Sequence, residues 1–374
     1  GLYGAKSSGA SFVAFNAPAY ESYEHKQGDN APVSEYAAFA YTTALNTLLS
    51  NDRNYLRIGD MTVVFWAEGA DEDNENVLND IFSSANAIVK DKDIKGFFKK
   101  VRIGEPFEIS DFTVKPDNKF YILGLSPNAA RISVRFFFTN TFGDFIKNYE
   151  KYFREFEIIK PVFDNRVSIP LWQILQETAN KNSKDKAASP LLIGAVLRSI
   201  LSGTKYPEAL YQNTILRAKA DQDNPDKNIT KISRIKAAII KACLIRNYKY
   251  NEEVITVALN KECKKVPYVL GRLFAVFEDL QKKANPGINS TIKDRYFNSA
   301  CANPSMTFPL LTKLANTHLK KISSQKGTVK DFEKLIGELM NKIEIENNAM
   351  PDRLSLPEQG EFVLGYYHQK KEEK

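Results

Sequence analysis

At 374 residues, 43% of them hydrophobic, the chain is long enough for two cores and long for one ordinary domain. Net charge is +7 with a pI near 9.0, and it is uneven: residues 1–166 hold 19 Lys+Arg against 23 Asp+Glu, whereas residues 167–374 hold 33 against 22. Cys243, Cys263 and Cys301 are odd in number and widely spaced without a Cys-x-x-Cys, which excludes a disulfide framework or a zinc site and fits a reducing compartment. The longest apolar run, Leu191 to Leu197, stops at Arg198 and is too short to span a bilayer, and no signal peptide opens the chain, so a cytoplasmic location is expected.

In chain order, Ser11-Phe-Val-Ala-Phe15 reads as a short strand. It follows Gly1 so closely that the chain is expected to be a fragment of a longer protein. Asn16 to Pro32 is a long polar and aromatic loop. Ser34 is placed to cap a helix running to about Leu49. Met61 to Trp66 reads as a strand, followed by an acidic loop from Glu68 to Glu75 and a helix to about Val89. Phe120–Leu125 and Arg131–Thr139 are two further strands, the second with one wet face, and Thr141 caps a helix ending near Phe153.

Beyond a connection at Arg154–Pro170 the periodicity is helical throughout. Helices are expected at Leu171–Ala179, Pro190–Leu201, Pro207–Ala220, Thr230–Tyr248, Glu252–Cys263, Thr328–Glu346 and Leu356–Gln369, with three consecutive ones between Val266 and Ile322. In the first of those three, Val269, Leu270, Leu273, Phe274, Val276, Phe277 and Leu280 fall on one arc, and Arg272, Asp279, Lys282 and Lys283 on the opposite one. The expected fold class is α+β: a mixed α/β domain with a small sheet to residue 165, then an all-α domain over 166–374 in which 251–374 form a bundle with a basic outside.

Little points to catalysis. No Gly-x-Ser-x-Gly, His-Glu-x-x-His or phosphate-binding loop occurs, so neither an enzyme nor a cofactor or metal is expected. Of three histidines, His318 lies in an apolar arc and reads as a core residue, whereas His25 and His368 have no evident partner nearby in sequence. Asp71-Glu-Asp-Asn-Glu75 fails as a calcium loop, because Asn76 stands where glycine is needed and Phe82 where a bidentate Glu is needed.

Polyanion binding is better supported. Lys95, Lys99, Lys100 and Arg102 surround Phe97 and Phe98, and Lys320, Lys321 and Lys326 cluster after His318. Each cluster alone could equally be a solvated face or a set of helix-terminal cations offsetting the macrodipole. In the Asn16–Pro32 loop, Asn16, Gln27 and Asn30 carry groups able to read base edges, and Tyr20 and Tyr23 can stack on bases or wedge between them; a packed structural loop would look the same. Arg295 could form an ion pair within the bundle or meet a phosphate.

Asn16-Ala-Pro-Ala-Tyr-Glu-Ser-Tyr23, Asn30-Ala-Pro-Val-Ser-Glu-Tyr-Ala-Ala-Phe-Ala-Tyr-Thr-Thr-Ala-Leu45, Val63-Val-Phe-Trp-Ala67 and Leu125-Ser-Pro-Asn-Ala-Ala-Arg131 resemble the large subunit of the type I-C CRISPR interference complex, the Csd-type Cascade large subunit. So do Leu270-Gly-Arg-Leu-Phe-Ala-Val276, Thr291-Ile-Lys-Asp-Arg-Tyr296 and Phe362-Val-Leu-Gly-Tyr-Tyr-His-Gln369. The resemblance implies a non-catalytic DNA-binding subunit of an RNA-guided surveillance complex. Its implied partners are target DNA, the CRISPR RNA-containing complex with its backbone and handle-binding subunits, and a recruited helicase–nuclease. It implies that the subunit reads the motif beside the target, helps open the duplex and holds the displaced strand, with a C-terminal bundle like the small subunit of related complexes. On that basis Asn16, Tyr20, Tyr23, Gln27, Asn30, Lys99 and Lys100 are expected on the duplex or motif side. Arg272, Lys282, Lys283, Lys293, Lys313, Lys320 and Lys321 are expected on the displaced strand, with His318 and Arg295 locking the bundle.

Overall fold

The computed structural model describes the chain apart from residues 1, 3, 4, 6–9, 16, 59–60, 71–106, 110–111, 129, 162–163, 165–168, 170, 182–189, 225, 227–228, 344–349 and 373–374. The described residues form an α+β protein of two compact units. Unit 1 comprises Gly1–Tyr152, Pro170–Leu175 and Ala187–Thr204, and unit 2 comprises Phe153–Ile169, Gln176–Lys186 and Lys205–Lys374.

In unit 1, β1 (Tyr55–Ile58), β2 (Met61–Ala67), β5 (Lys119–Asn128) and β6 (Arg131–Thr141) form an antiparallel sheet in the order β1-β2-β5-β6. A separate hairpin pairs β3 (Phe107–Ile109) with β4 (Phe112–Val114). Helix α1 (Glu35–Ser50) begins where expected, with the Ser34 hydroxyl accepting from the Ala37 amide. It packs Leu45 against Val64 and Leu125 on one face of the sheet. On the other face, Phe120 meets Phe142 and Phe145 of α2 (Phe142–Phe156) at ring distances of 5.2 and 5.1 Å. Two expectations change here. Ser11–Phe15 is not a strand, for only Ser11 bridges, in parallel, to Arg131. Strand β1 and the β3–β4 hairpin were not foreseen; β1 has four residues and the hairpin strands three each, too short to establish a period of two. The acidic loop and the helix expected up to Val89 lie outside the described residues, apart from a 3-10 turn at Glu68–Ala70.

The remaining helices are α3 (Leu171–Gln176), α4 (Pro190–Ser202), α5 (Glu208–Ala220), α6 (Arg234–Arg246), α7 (Val266–Ala284), α8 (Ile292–Ala302), α9 (Pro304–Lys321), α10 (Lys326–Asn341) and α11 (Leu356–Glu372). The helix expected at Glu252–Cys263 is absent. The Asn251 side chain accepts from the Glu253 amide, and Asn260 accepts from the Glu262 amide while donating to the Glu253 and Val254 carbonyls. These local bonds offer the backbone an alternative to a helix.

The larger correction concerns α7, expected as a bundle helix with a basic outer face. It is buried all round from Pro267 to Glu278 and is the central helix of unit 2, contacted by α8, α9, α10 and most extensively α11. Gly271 and Gly365 make this possible. A Cβ on Gly271 would lie 2.0 Å from the Phe362 carbonyl oxygen, and one on Gly365 2.0 Å from that of Tyr268, so α7 and α11 cross backbone to backbone. Helix α11 thereby covers Arg272 and Asp279 of the polar arc of α7 and leaves Lys282 and Lys283 exposed. Arg272 donates to Gln369 through Nε, and Glu278 accepts from the Tyr366 hydroxyl at 2.6 Å.

Candidate nucleic-acid interface

The loop before α1 is held by one side chain. The Asn30 amide oxygen accepts from the Ser22 amide, and its Nδ2 donates to the carbonyls of His25 and Gln27. Asn30 thus makes three hydrogen bonds within the loop and spends both amide protons there, which counts against the expected base contact. What it supports is unusual backbone: Tyr23, Glu24 and Gln27 have φ of 52°, 64° and 46°, a region that side-chain-bearing residues enter at a cost of about 1 kcal/mol or more each. Tyr23 is consequently held out with 93% of its surface exposed. Tyr20, in a 3-10 turn at Pro18–Tyr20, is half exposed, with the Arg131 guanidinium 5.2 Å over its ring. Gln27 is exposed. Asn16, Lys99 and Lys100 lie outside the described residues.

In unit 2 the expected cations divide. Arg272 is 4% exposed and its pKa is lowered by burial, so it is no surface contact. Lys293 is mostly covered and paired with Asp223, which likewise removes it from the outside. Lys282 is half exposed but lies 2.8 Å from Glu278. Burial alone would raise the Glu278 pKa; Lys370, Lys282 and the Tyr366 hydroxyl among its partners hold it down at about 2. Lys283, Lys313, Lys320 and Lys321 are exposed, Lys321 reaching the Asn285 amide oxygen at 2.6 Å.

His318 is half-buried, with Nδ1 3.5 Å from Asn285 Nδ2 at the α7 C-terminus; burial, then Lys321, lowers its pKa. Arg295, expected to lock the bundle, is exposed and makes no ion pair among the described residues. The buried histidine is instead His368. The Tyr268 hydroxyl accepts from the Asn260 amide and shares a hydrogen bond with His368 Nδ1 at 2.9 Å. Burial drives the His368 pKa down to about 3. Sequence reasoning passed over this pair because 100 residues separate its members.

Other cations of unit 2 are buried too. Lys236 lies 2.6 Å from Asp221, and Arg246 lies 2.7 Å from Glu155 and over the Tyr206 ring. The Lys241 ammonium donates to the carbonyls of Arg154 and Glu155, and burial lowers its pKa to about 8. One run of the exposed cations stands clear of acids in the sequence. From Arg295 to Lys330 the chain holds no Asp or Glu, while Arg295, Lys313, Lys320, Lys321, Lys326 and Lys330 all face solvent. Among the described residues, no three His, Cys, Asp or Glu gather as a metal site, and no helix is long and apolar enough to cross a membrane.

Fold and geometry thus define an α+β protein with a helical unit that carries six exposed cations on one acid-free stretch. The chain belongs to the CRISPR-associated protein family Cas_Csd1, whose family model matches residues 1–373. No curated protein matches it.

Proposed function

We propose that this protein is the DNA-binding large subunit of a type I-C Cascade and works without catalysing a reaction. In this reading it sits in a CRISPR RNA-containing complex with backbone and handle-binding subunits. It contributes to recognition of the motif beside the target, to duplex opening and to recruitment of a helicase–nuclease. Guide pairing supplies sequence specificity, and the subunit supplies contacts to backbone and motif.

The observation that carries the DNA contact is the acid-free stretch Arg295–Lys330 with its six exposed cations. A displaced single strand needs charge along its backbone, and this stretch supplies six cations with no acid between them in the sequence. Lys283 adds to it. On the duplex side, the Asn30-braced loop supports a wedge at Tyr23, with Tyr20 beside it; a strained, over-determined loop with one fully exposed ring suits prising a base step apart.

The test is a Lys313→Glu, Lys320→Glu, Lys321→Glu triple in the assembled complex. Affinity for target DNA should fall, and the slope of log affinity against log salt should flatten by about 2, at roughly 0.7 per single-strand phosphate contact. Unchanged affinity and slope would sink the reading.

A scaffold role without DNA contact draws support from α1, which has Glu35 as its one charge and exposes Tyr36 and Phe39 by 80% and 68%. Crosslinking to displaced-strand DNA separates the two: labelled peptides from 266–345 favour DNA contact, and their absence favours the scaffold.

A further inference from the structure

We propose that the Trp66–Tyr121–Phe137 face of the unit 1 sheet is a stacking site for unpaired bases of single-stranded DNA. The rings come from three neighbouring strands, β2, β5 and β6. Trp66 and Tyr121 are directly paired in register and stack at 5.3 Å with planes 15° apart. Tyr121 and Phe137 lie 6.3 Å apart at 21°, and Trp66 and Phe137 6.4 Å apart at 36°.

This differs from the aromatic packing of the unit 2 core. There Phe274, Phe297 and Tyr366 meet edge to face at 63–88°, each ring closing the face of the next. Near-parallel rings instead present their faces in one direction, where another flat ring can lie. Phe137, 51% exposed at the outer strand of the sheet, is the most open of the three rings, whereas Trp66 packs against the cluster of Leu45, Val64 and Leu125 on the same face. A register shift opposite Gly124 and Leu125 leaves Arg135 without a partner in the ladder between Val134 and Phe136, and so returns Val134 to the face of Phe137. Exposed Val134 and half-buried Leu123 add an apolar rim suited to a thymine methyl group.

Charge points to the same occupant. The four strands hold Arg57, Lys119, Arg131 and Arg135 and no Asp or Glu. Acids make up 45 of the 374 residues, so a sheet of this size would hold about four at the chain's average. Lys119 alternates onto the face of Tyr121, two residues away, where a backbone phosphate would lie beside a stacked base. The acidic balance of the first 166 residues hides this basic sheet.

The choice of DNA over RNA rests on the proposed function; the stacking geometry does not. The test is binding of labelled dT12 to the full chain, followed by anisotropy. Phe137→Ala and Phe137→Leu should each weaken it about 5-fold or more, Phe137→Tyr should hold near the original value, and the salt slope should stay the same in all three. Phe137→Leu keeps the apolar packing on Tyr121, and matching melting curves confirm that the fold survives. Four results would overturn the proposal: no dT12 binding by the unaltered chain, both truncations within twofold of it, 12-base-pair duplex bound as tightly as dT12, or rU12 bound more tightly. Should the lysine triple leave target binding untouched while Phe137→Ala still weakens dT12, the bundle reading fails and this one stands; the opposite pattern removes the platform and keeps the bundle.

Discussion

Helices α7 and α9 are two basic-looking helices of the same unit with opposite fates. Helix α7 places Arg272, Glu278 and Asp279 against α11, where they meet Gln369, Tyr366 and Lys370, and leaves Lys282 and Lys283 of its last turn exposed. Helix α9 buries Phe308, Leu311 and Ala315 and leaves Lys313, Lys320 and Lys321 outside. The difference separates charge that organises the interior from charge available to a ligand. A net charge of +11 over residues 167–374 does not distinguish the two. In unit 2, Lys231, Lys236, Lys241, Arg246 and Arg272 are all buried.

The comparison breaks first at Arg246, where removing charge should cost most. Truncation to Ala leaves Glu155 with the Tyr206 hydroxyl but without its counter-charge, in a site where both members of the ion pair are 1% exposed, and uncovers the Tyr206 ring. A loss of about 3–5 kcal/mol is expected in urea unfolding. A loss under about 1 kcal/mol would show that this buried charge is no more structural than one on α9.

A smaller effect, visible only against pH, comes from His368. Its folded-state pKa of about 3 lies below the ordinary 6.5, so the unfolded chain binds the proton more readily. Its contribution is therefore complete above pH 6.5 and drains as pH falls toward 3, at up to about 1.4 kcal/mol per pH unit. His368→Leu loses the Tyr268 hydrogen bond, worth about 1 kcal/mol, but escapes this penalty. Its stability deficit at pH 7 should shrink or reverse by pH 4.5, and a constant deficit would contradict a neutral buried imidazole. Glu278, held at about 2, pulls the same way over the lower window, from its ordinary 4.5 downward.

The smallest effect on stability belongs to the exposed strip. The Lys313, Lys320 and Lys321 triple should change unfolding free energy by no more than about 0.5 kcal/mol per site while still altering the salt dependence of DNA binding. A melting temperature lowered as far as by Arg246→Ala would place those lysines with the structural charges.

Much of the fold was legible before any coordinates. Ser34, Thr141 and Pro304 mark helix starts through local chemistry, and the structure begins α1, α2 and α9 beside them. Glu252–Cys263 was misread because Asn251 and Asn260 bind nearby backbone, which apolar spacing does not register. The candidate interface was less legible. Tyr23 and the late lysines stood out as residue types, but that Asn30 is spent on its own loop and Lys293 on Asp223 depends on partners eight and 70 positions away.

The sequence by itself determined the fold class, most helices, the acid-free run from Arg295 to Lys330 and the family, because capping, periodicity and composition are local and additive. Only the tertiary structure decided which charges remain for a ligand. It took Arg272 and Asp279 of Val266–Ala284 out of that group by laying α11 against them, a crossing that two glycines 94 positions apart permit, and left Lys282 and Lys283 outside. It also brought Trp66, Tyr121 and Phe137 onto one face, because strand pairing sets ring next to ring across any length of intervening chain.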